Sequence, residues 1–185
     1  MRHTRCHLRR TWLTGLLLVS APLGVAGASA PAEAYRYVAV IAGECERLVL
    51  SGDDHSNQCS DKLVNVDFGD GRVAFVFTTP SEHGAVVTSF LGHASTQPDL
   101  RRYRLDVDEI TTTTTDATGR PDSVVERAAG HCAMTGDPTR EPARFECTAD
   151  RPAGRTAATF VSTAAPTVYA GTRGDADVVA AEPAP

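Results

Sequence analysis

From Lys62 to Thr79 the chain reads KLVNVDFGDGRVAFVFTT. Val64, Val66 and Phe68 alternate with Leu63, Asn65 and Asp67. Gly69-Asp70-Gly71 then supplies a turn able to take positive φ. Beyond it Val73, Phe75 and Phe77 share one face, and Ala74, Val76 and Thr78 share the other. This period is close to two, the period of a pleated strand rather than of a helix. The segment predicts a β-hairpin. Its expected inner face carries Val73, Phe75 and Phe77 from one strand and Val64, Val66 and Phe68 from the other.

The same pattern extends over most of the remaining sequence. YRYVAVIAG (35–43) and ERLVLSG (46–52) predict two strands, the second closed by the turn SGDDHSNQ. GAVVTSFLG (84–92) is framed by glycines. In RRYRLDVDEI (101–110), Tyr103, Leu105 and Val107 point one way and Arg102, Arg104, Asp106 and Asp108 the other. That is a half-buried strand with a solvated face of both signs. Ile110 falls out of phase, which predicts a bulge or a strand end near Glu109. The threonine run 111–115 extends the strand, and ATGRPDS must turn. Segments 124–134, 143–150 and 156–164, with 167–171, complete the set. SFLGHASTQPDLRRY admits one helical turn near Pro98. No segment sustains a helical period. Eight or nine short strands with evenly spaced turns predict an all-β chain, a single antiparallel barrel of about eight strands, with a sandwich as the alternative.

The N-terminal residues fall outside this pattern. Arg2, Arg5, Arg9 and Arg10 precede TWLTGLLLVSAPLGVAGASA, an uncharged, Leu-rich stretch ending in small residues. This is the layout of a secretory signal peptide. A retained membrane anchor is the competing reading, because the uncharged stretch is just long enough to span. The expected organisation is a helical signal peptide over 1–30, an antiparallel β domain over 35–171 and a disordered tail over 172–185. The tail TRGDADVVAAEPAP is polar, rich in Ala and Pro and without period. Cleavage removes four arginines from 18 basic residues and leaves 14 against 23 acidic ones, a net charge of −9. Such a surface repels phosphate backbones and anionic lipid heads. Nucleic acid is therefore not an expected partner, and neither is a membrane after cleavage.

Cysteine usage points to the same compartment. Cys45, Cys59, Cys132 and Cys147 remain after cleavage, an even number in a chain expected to be periplasmic or secreted. Each neighbouring couple brackets a turn-rich segment of hairpin length, which predicts the bridges Cys45–Cys59 and Cys132–Cys147. GHCAMTGDPTREPARFEC (130–147) is then a stapled hairpin. It has no Cys-x-x-Cys pair for zinc and no thioredoxin-like frame for redox work.

Other candidate chemistry is sparse. His55, His83, His93 and His131 are scattered, and the bland reading of each is a solvated histidine. DDHSNQ carries oxygen ligands without the spacing of a calcium loop. Asp106 and Asp108 sit among arginines and read as solvated ion pairs. No Gly-x-Ser-x-Gly elbow, His-Glu-x-x-His pair or phosphate loop occurs. Arg173-Gly174-Asp175 matches an adhesion tripeptide, a length at which chance matches are common. No catalytic residue, metal ligand or cofactor is expected, and the chain is expected to act by binding, as a monomer. Two binding modes are open. A calycin-type carrier would hold a small apolar ligand in the barrel mouth. An inhibitor-type module would block a partner protein through an exposed loop, for which GDPTREPAR offers Arg140 and Arg144 as anchors. A hydrolase is a more remote alternative.

CSDKLVNVDFGDGRVAFVFTT, SFLGHASTQPDLRRYRLDVDEI and the late GHCAM…FEC pair together resemble an uncharacterised family of small exported proteobacterial proteins. The shared order is a signal peptide, a Cys, a DGR-x-x-F-x-F hairpin, a QPD…RY-x-L-x-VD strand and a late Cys pair. These motifs are structural, so the resemblance implies an exported β-protein and no catalytic residue.

Overall fold

The computed structural model describes residues 35–82, 84–95, 102–163, 165–170 and 179–180. Eight antiparallel strands close into a barrel. They are β1 (Tyr37–Leu50), β3 (Lys62–Asp67), β4 (Arg72–Ser81), β5 (Gly84–Ala94), β6 (Arg102–Thr115), β7 (Pro121–Thr135), β8 (Arg144–Arg151) and β9 (Gly154–Ser162). Between β1 and β3 lie the short β2 (Asp53–Asp54) and a 3-10 turn (Ser56–Gln58). After β9 come β10 (Thr167–Ala170) and β11 (Val179–Ala180). This is the barrel expected from the alternating pattern. The expected signal peptide, the turn near Pro98, His83 and the expected tail over 172–185 with its RGD tripeptide lie outside the described residues, save for Val179–Ala180 of β11.

Strands β3 to β9 follow one another as a meander, and β1 closes the ring between β9 and β3. The two strands expected over 35–43 and 46–52 are one. β1 runs unbroken for 14 residues and serves two neighbours. Its first half pairs with β3 from Tyr37↔Asp67 to Ala42↔Lys62. Its second half pairs with β9 from Gly43↔Ser162 to Val49↔Ala157, across a bulge at Glu46. β10 continues the line of β9 along the start of β1, with Val40 opposite Thr167.

The bulge expected near Glu109 is at Asp108. There both ladders of β6 shift register, against β5 and against β7. The extra residue returns Ile110 to the inner face, where it is fully buried. Just before the bulge, Val107 sits between Gly92 and Gly130. A Cβ at either glycine would fall about 2.0 Å from a carbonyl oxygen of the adjacent strand. Glycines and a bulge at one level let a twisted sheet curl tightly enough to close.

One face assignment is corrected. Val73, Phe75 and Phe77 do face the interior and are buried. Their partners on β3 are Leu63, Asn65 and Asp67, whereas Val64 and Val66 lie opposite Val76 and Ala74 on the outer face and are half-buried, and Phe68 lies beyond the end of β3 at the turn. The reason is turn length. Phe68 N–H donates to Arg72 O at 3.1 Å, leaving a three-residue turn with positive φ at Gly69 and Gly71. An odd-length turn pairs odd residues with odd ones, so Asp67 meets Val73. A turn one residue longer or shorter would reverse every β3 side chain.

The core is a set of aromatic rings in edge contact. Phe75 meets Phe145 with centroids 5.6 Å apart, Phe77 meets Phe90 at 5.7 Å, and Phe145 meets Phe160 at 6.5 Å. Both expected disulfides are present. Cys132 and Cys147 face each other directly across β7 and β8 and are buried in this core. Cys45–Cys59 packs at its edge, half-exposed.

A candidate ligand cavity at one end of the barrel

The two ends of the barrel differ. At one end, Arg151 at the close of β8 turns inward and its side chain is 8% exposed. Its guanidinium pairs with Glu126 on β7, donates from Nη2 to Ser51 Oγ at 2.8 Å and from Nε to Thr156 Oγ1 at 3.0 Å. Glu126 is 20% exposed. A buried guanidinium is tolerable only when its donors are met, and here each of its three nitrogens has a partner. The network plugs that end.

The other end holds a cavity of about 430 Å³. Its inner wall comes from the starts of β1 and β8 and the middle of β4: Ala39, Ile41, Phe145 and Phe75, all buried. Tyr37 on β1, Asn65 on β3, Tyr103 on β6 and Met134 on β7 line its sides. Asp137–Arg140, from the β7–β8 loop, and Pro166 and Val168, beside and within β10, form the rim. Two small inner side chains leave space here: β3 contributes Asn65 opposite Phe75, and β1 contributes Ala39 opposite Asn65.

The polar groups of the cavity are few. Asn65 donates from Nδ2 to Ala74 O at 3.3 Å. The Asp137 carboxylate accepts from Thr139 N at 3.0 Å and Thr139 Oγ1 at 2.6 Å, and Arg140 Nε lies 3.7 Å from its other oxygen. Burial pushes the Tyr103 hydroxyl well above the usual phenol range, with Tyr37 and the Asp67 carboxylate adding to the effect. Tyr37 is raised for the same first reason, then by Asp67, while Arg36 acts the other way. Both phenols therefore stay protonated across the physiological range. Tyr103 Oη is buried, and no hydrogen-bond partner for it is found among the described residues.

The residues singled out from sequence are distributed around this site rather than gathered in it. Arg140 stands on the rim with its side chain 78% exposed. Arg144 is on the outer face of β8, between Glu46 at 2.6 Å and Glu146 at 3.1 Å; these two carboxylates raise its already high pKa. His55 precedes the 3-10 turn, His93 lies 3.6 Å from Asp108 on the outside, and His131 shares the outer face with Asp106 and Thr148. Asp106 pairs with Arg104 at 2.9 Å, and Asp108 lies 3.5 Å from Arg72. Among the described residues no group of three or more His, Cys, Asp and Glu is placed to hold a metal ion. What the sequence reading missed is the tyrosine pair. Tyr103 was legible as an inner-face residue, and the available signal was a polar-tipped aromatic at the start of a strand whose later inner positions are Leu105, Val107 and Ile110. Comparison with protein-family models, with curated proteins and with solved structures finds no match to this chain.

Proposed function

We propose that the protein is an exported carrier that binds a small, mainly apolar ligand in the open end of its barrel and does no chemistry on it. The observation that carries this reading is the cavity. Its volume of about 430 Å³ falls within the range of roughly 300–1,000 Å³ usual for small-molecule sites, and its lining is aromatic and aliphatic with a few polar groups. The carboxylate on its rim, Asp137, is engaged by its own loop, which supports a binding role over acid–base work. Two disulfides support an oxidising, exported setting, and the resemblance to exported proteobacterial proteins supports a periplasmic or secreted one. The excess of acidic residues supports a protein free of nucleic acid and, once the signal peptide is gone, of the membrane.

Titration of the processed protein with the fluorescent probe N-phenyl-1-naphthylamine tests this. Saturable binding of one probe per chain is expected, weakened at least about tenfold by Met134→Trp, which fills the cavity from its side. Absence of saturable binding, or no effect of the filled cavity, sinks the reading.

A second reading, the inhibitor-type module, is favoured by the β7–β8 loop. Arg140 N and Glu141 N both donate to Asp137 O, at 2.9 and 2.8 Å. An exposed arginine on a loop already held in shape is what an anchor for a partner protein requires. Arg144, held by two carboxylates, is the less suitable of the two anchors. Capture of a partner that Arg140→Ala abolishes, with probe binding unchanged, would favour this second reading.

A further inference from the structure

Resting on that carrier reading, we infer that the ligand is an amphiphile, its apolar body in the cavity and a carboxylate at the mouth, held by the Arg140 guanidinium. The lining sets up this division. Ala39, Ile41, Phe75 and Phe145 form a buried apolar floor. The two tyrosines of the wall are neutral phenols. Among the described residues, the charged ones of the lining are Asp137 and Arg140, and both stand on the β7–β8 loop at the rim. A ligand that fills the floor therefore meets charge where the cavity opens to water.

Of those two charges, the cation is the one an incoming ligand meets. The Asp137 side chain is 16% exposed. Its Oδ1 accepts from Thr139 N and Thr139 Oγ1, at 3.0 and 2.6 Å, so the carboxylate is engaged by its own loop. The Arg140 side chain is 78% exposed, and its Nε lies 3.7 Å from Asp137 Oδ2, beyond hydrogen-bond length. That contact orients the guanidinium without saturating it. A guanidinium carries five N–H donors in a planar fork that matches the two oxygens of a carboxylate. The backbone beneath it is already fixed, with Arg140 N and Glu141 N both donating to Asp137 O, so little ordering is left to oppose binding.

The other charges near the mouth agree with this orientation. Asp67 ends β3 and is not part of the lining; its Oδ1 accepts from Gly69 N at 2.7 Å. Around the ring, β4, β5 and β6 separate β3 from β7, and β1 and β9 separate it from β8. Asp67 and the β7–β8 loop thus stand on opposite sides of the mouth. Arg36 is on the Asp67 side, over the Tyr37 ring at 6.0 Å. Glu141 follows Arg140 but lines the neighbouring cleft rather than this cavity. A carboxylate drawn to Arg140 keeps clear of Asp67 and stays in contact with water, so no charge has to be buried. An uncharged ligand would use the same floor and leave the arginine without a role in binding.

Decanoate and decan-1-ol share one apolar chain and differ in the charge of the head. Their dissociation constants are measured at neutral pH by displacement of N-phenyl-1-naphthylamine from the processed protein, from Arg140→Gln and from Arg140→Glu. The wild type is expected to hold decanoate about fivefold more tightly than decan-1-ol, the upper end for an exposed ion pair. Added salt should reduce that ratio. In Arg140→Gln the ratio should fall to about one or below, and in Arg140→Glu lower still. A wild-type ratio of about one or below, or a preference for decanoate that survives Arg140→Gln, overturns the inference while leaving the carrier reading in place. Failure of both chains to displace the bound probe does the same. Failure of the probe itself to bind the wild type removes the carrier reading, and this inference with it.

Discussion

At the scale of single residues, the inner and outer faces of one strand should respond very differently to truncation. Phe75 is 3% exposed and touches the rings of Tyr103 and Phe145. Phe75→Ala is expected to cost about 3–5 kcal/mol, the usual range for a buried Phe truncation, which is a large part of a typical stability of about 5–15 kcal/mol. The cost should sit toward the lower end of that range, because the ring already borders the cavity and removing it enlarges a space rather than creating one. Arg104 lies on the outer face of β6 beside Asp106. Arg104→Ala should change stability by no more than about 0.5 kcal/mol. Thermal melts of both variants check the pair; a severe Arg104→Ala with a silent Phe75→Ala would invert the assigned faces.

At the scale of elements, the plugged end and the two bridges each make a separable contribution. Arg151→Ala strands Glu126 and Ser51 at the end of the barrel. The expected loss is about 2–3 kcal/mol, below the usual figure for a broken buried pair because Glu126 keeps some contact with water. Replacing both partners, Arg151→Met with Glu126→Leu, should recover most of that loss, since it is the unpaired charge that destabilises. Chemical denaturation of the single and double variants decides. A double variant as unstable as Arg151→Ala would show that the guanidinium's bonds to Ser51 and Thr156 carry the effect instead. The bridges differ in access. Cys45–Cys59 is half-exposed, whereas Cys132–Cys147 lies in the core among the phenylalanines. Exchange with a soluble thiol needs access to the sulfur, so mild reduction of the native protein should open Cys45–Cys59 first. Mass mapping of the alkylated thiols reads the order, and early labelling of Cys132 or Cys147 would mean that the barrel opens locally between β7 and β8.

At the scale of the whole molecule, closure of the barrel gives the binding reading its form. A sandwich of the same strands would bury its two inner faces against each other along their whole length. A closed ring has two ends, and here one is filled by Arg151 and its partners while the other is left to Tyr37, Tyr103 and the β7–β8 loop. Such an assembly needs no second copy to complete its core, and the processed protein is expected to run as a monomer in size-exclusion chromatography. N-terminal sequencing of the exported form should begin between Ala28 and Tyr35, as the Arg-rich start and the Leu-rich stretch after it imply. Recovery of the intact Met1 form from membranes would instead favour a retained anchor.

The sequence by itself determined the elements, because a strand announces itself locally. Alternation over Arg102–Ile110 placed Tyr103, Leu105 and Val107 inward, and the phase slip at Ile110 located the bulge to within one residue. The cysteine spacing likewise gave the correct pairs, since both bridges join neighbouring segments. The inner face of β3 was not legible in the same way. Val64 and Val66 look more suited to a core than Asn65 and Asp67, yet a three-residue turn at Gly69–Gly71 sets the parity and sends them outward. The sequence divides β1 in two because Gly43 reads as a strand end, and nothing local shows the bulge at Glu46 or the change of partner that makes one strand serve two neighbours. Only the tertiary structure decided the cavity. Its wall draws on β1, β3, β4, β6, β7 and β8, and which of their inner side chains meet at one level depends on register and closure, properties of pairs of strands that no single stretch of sequence contains.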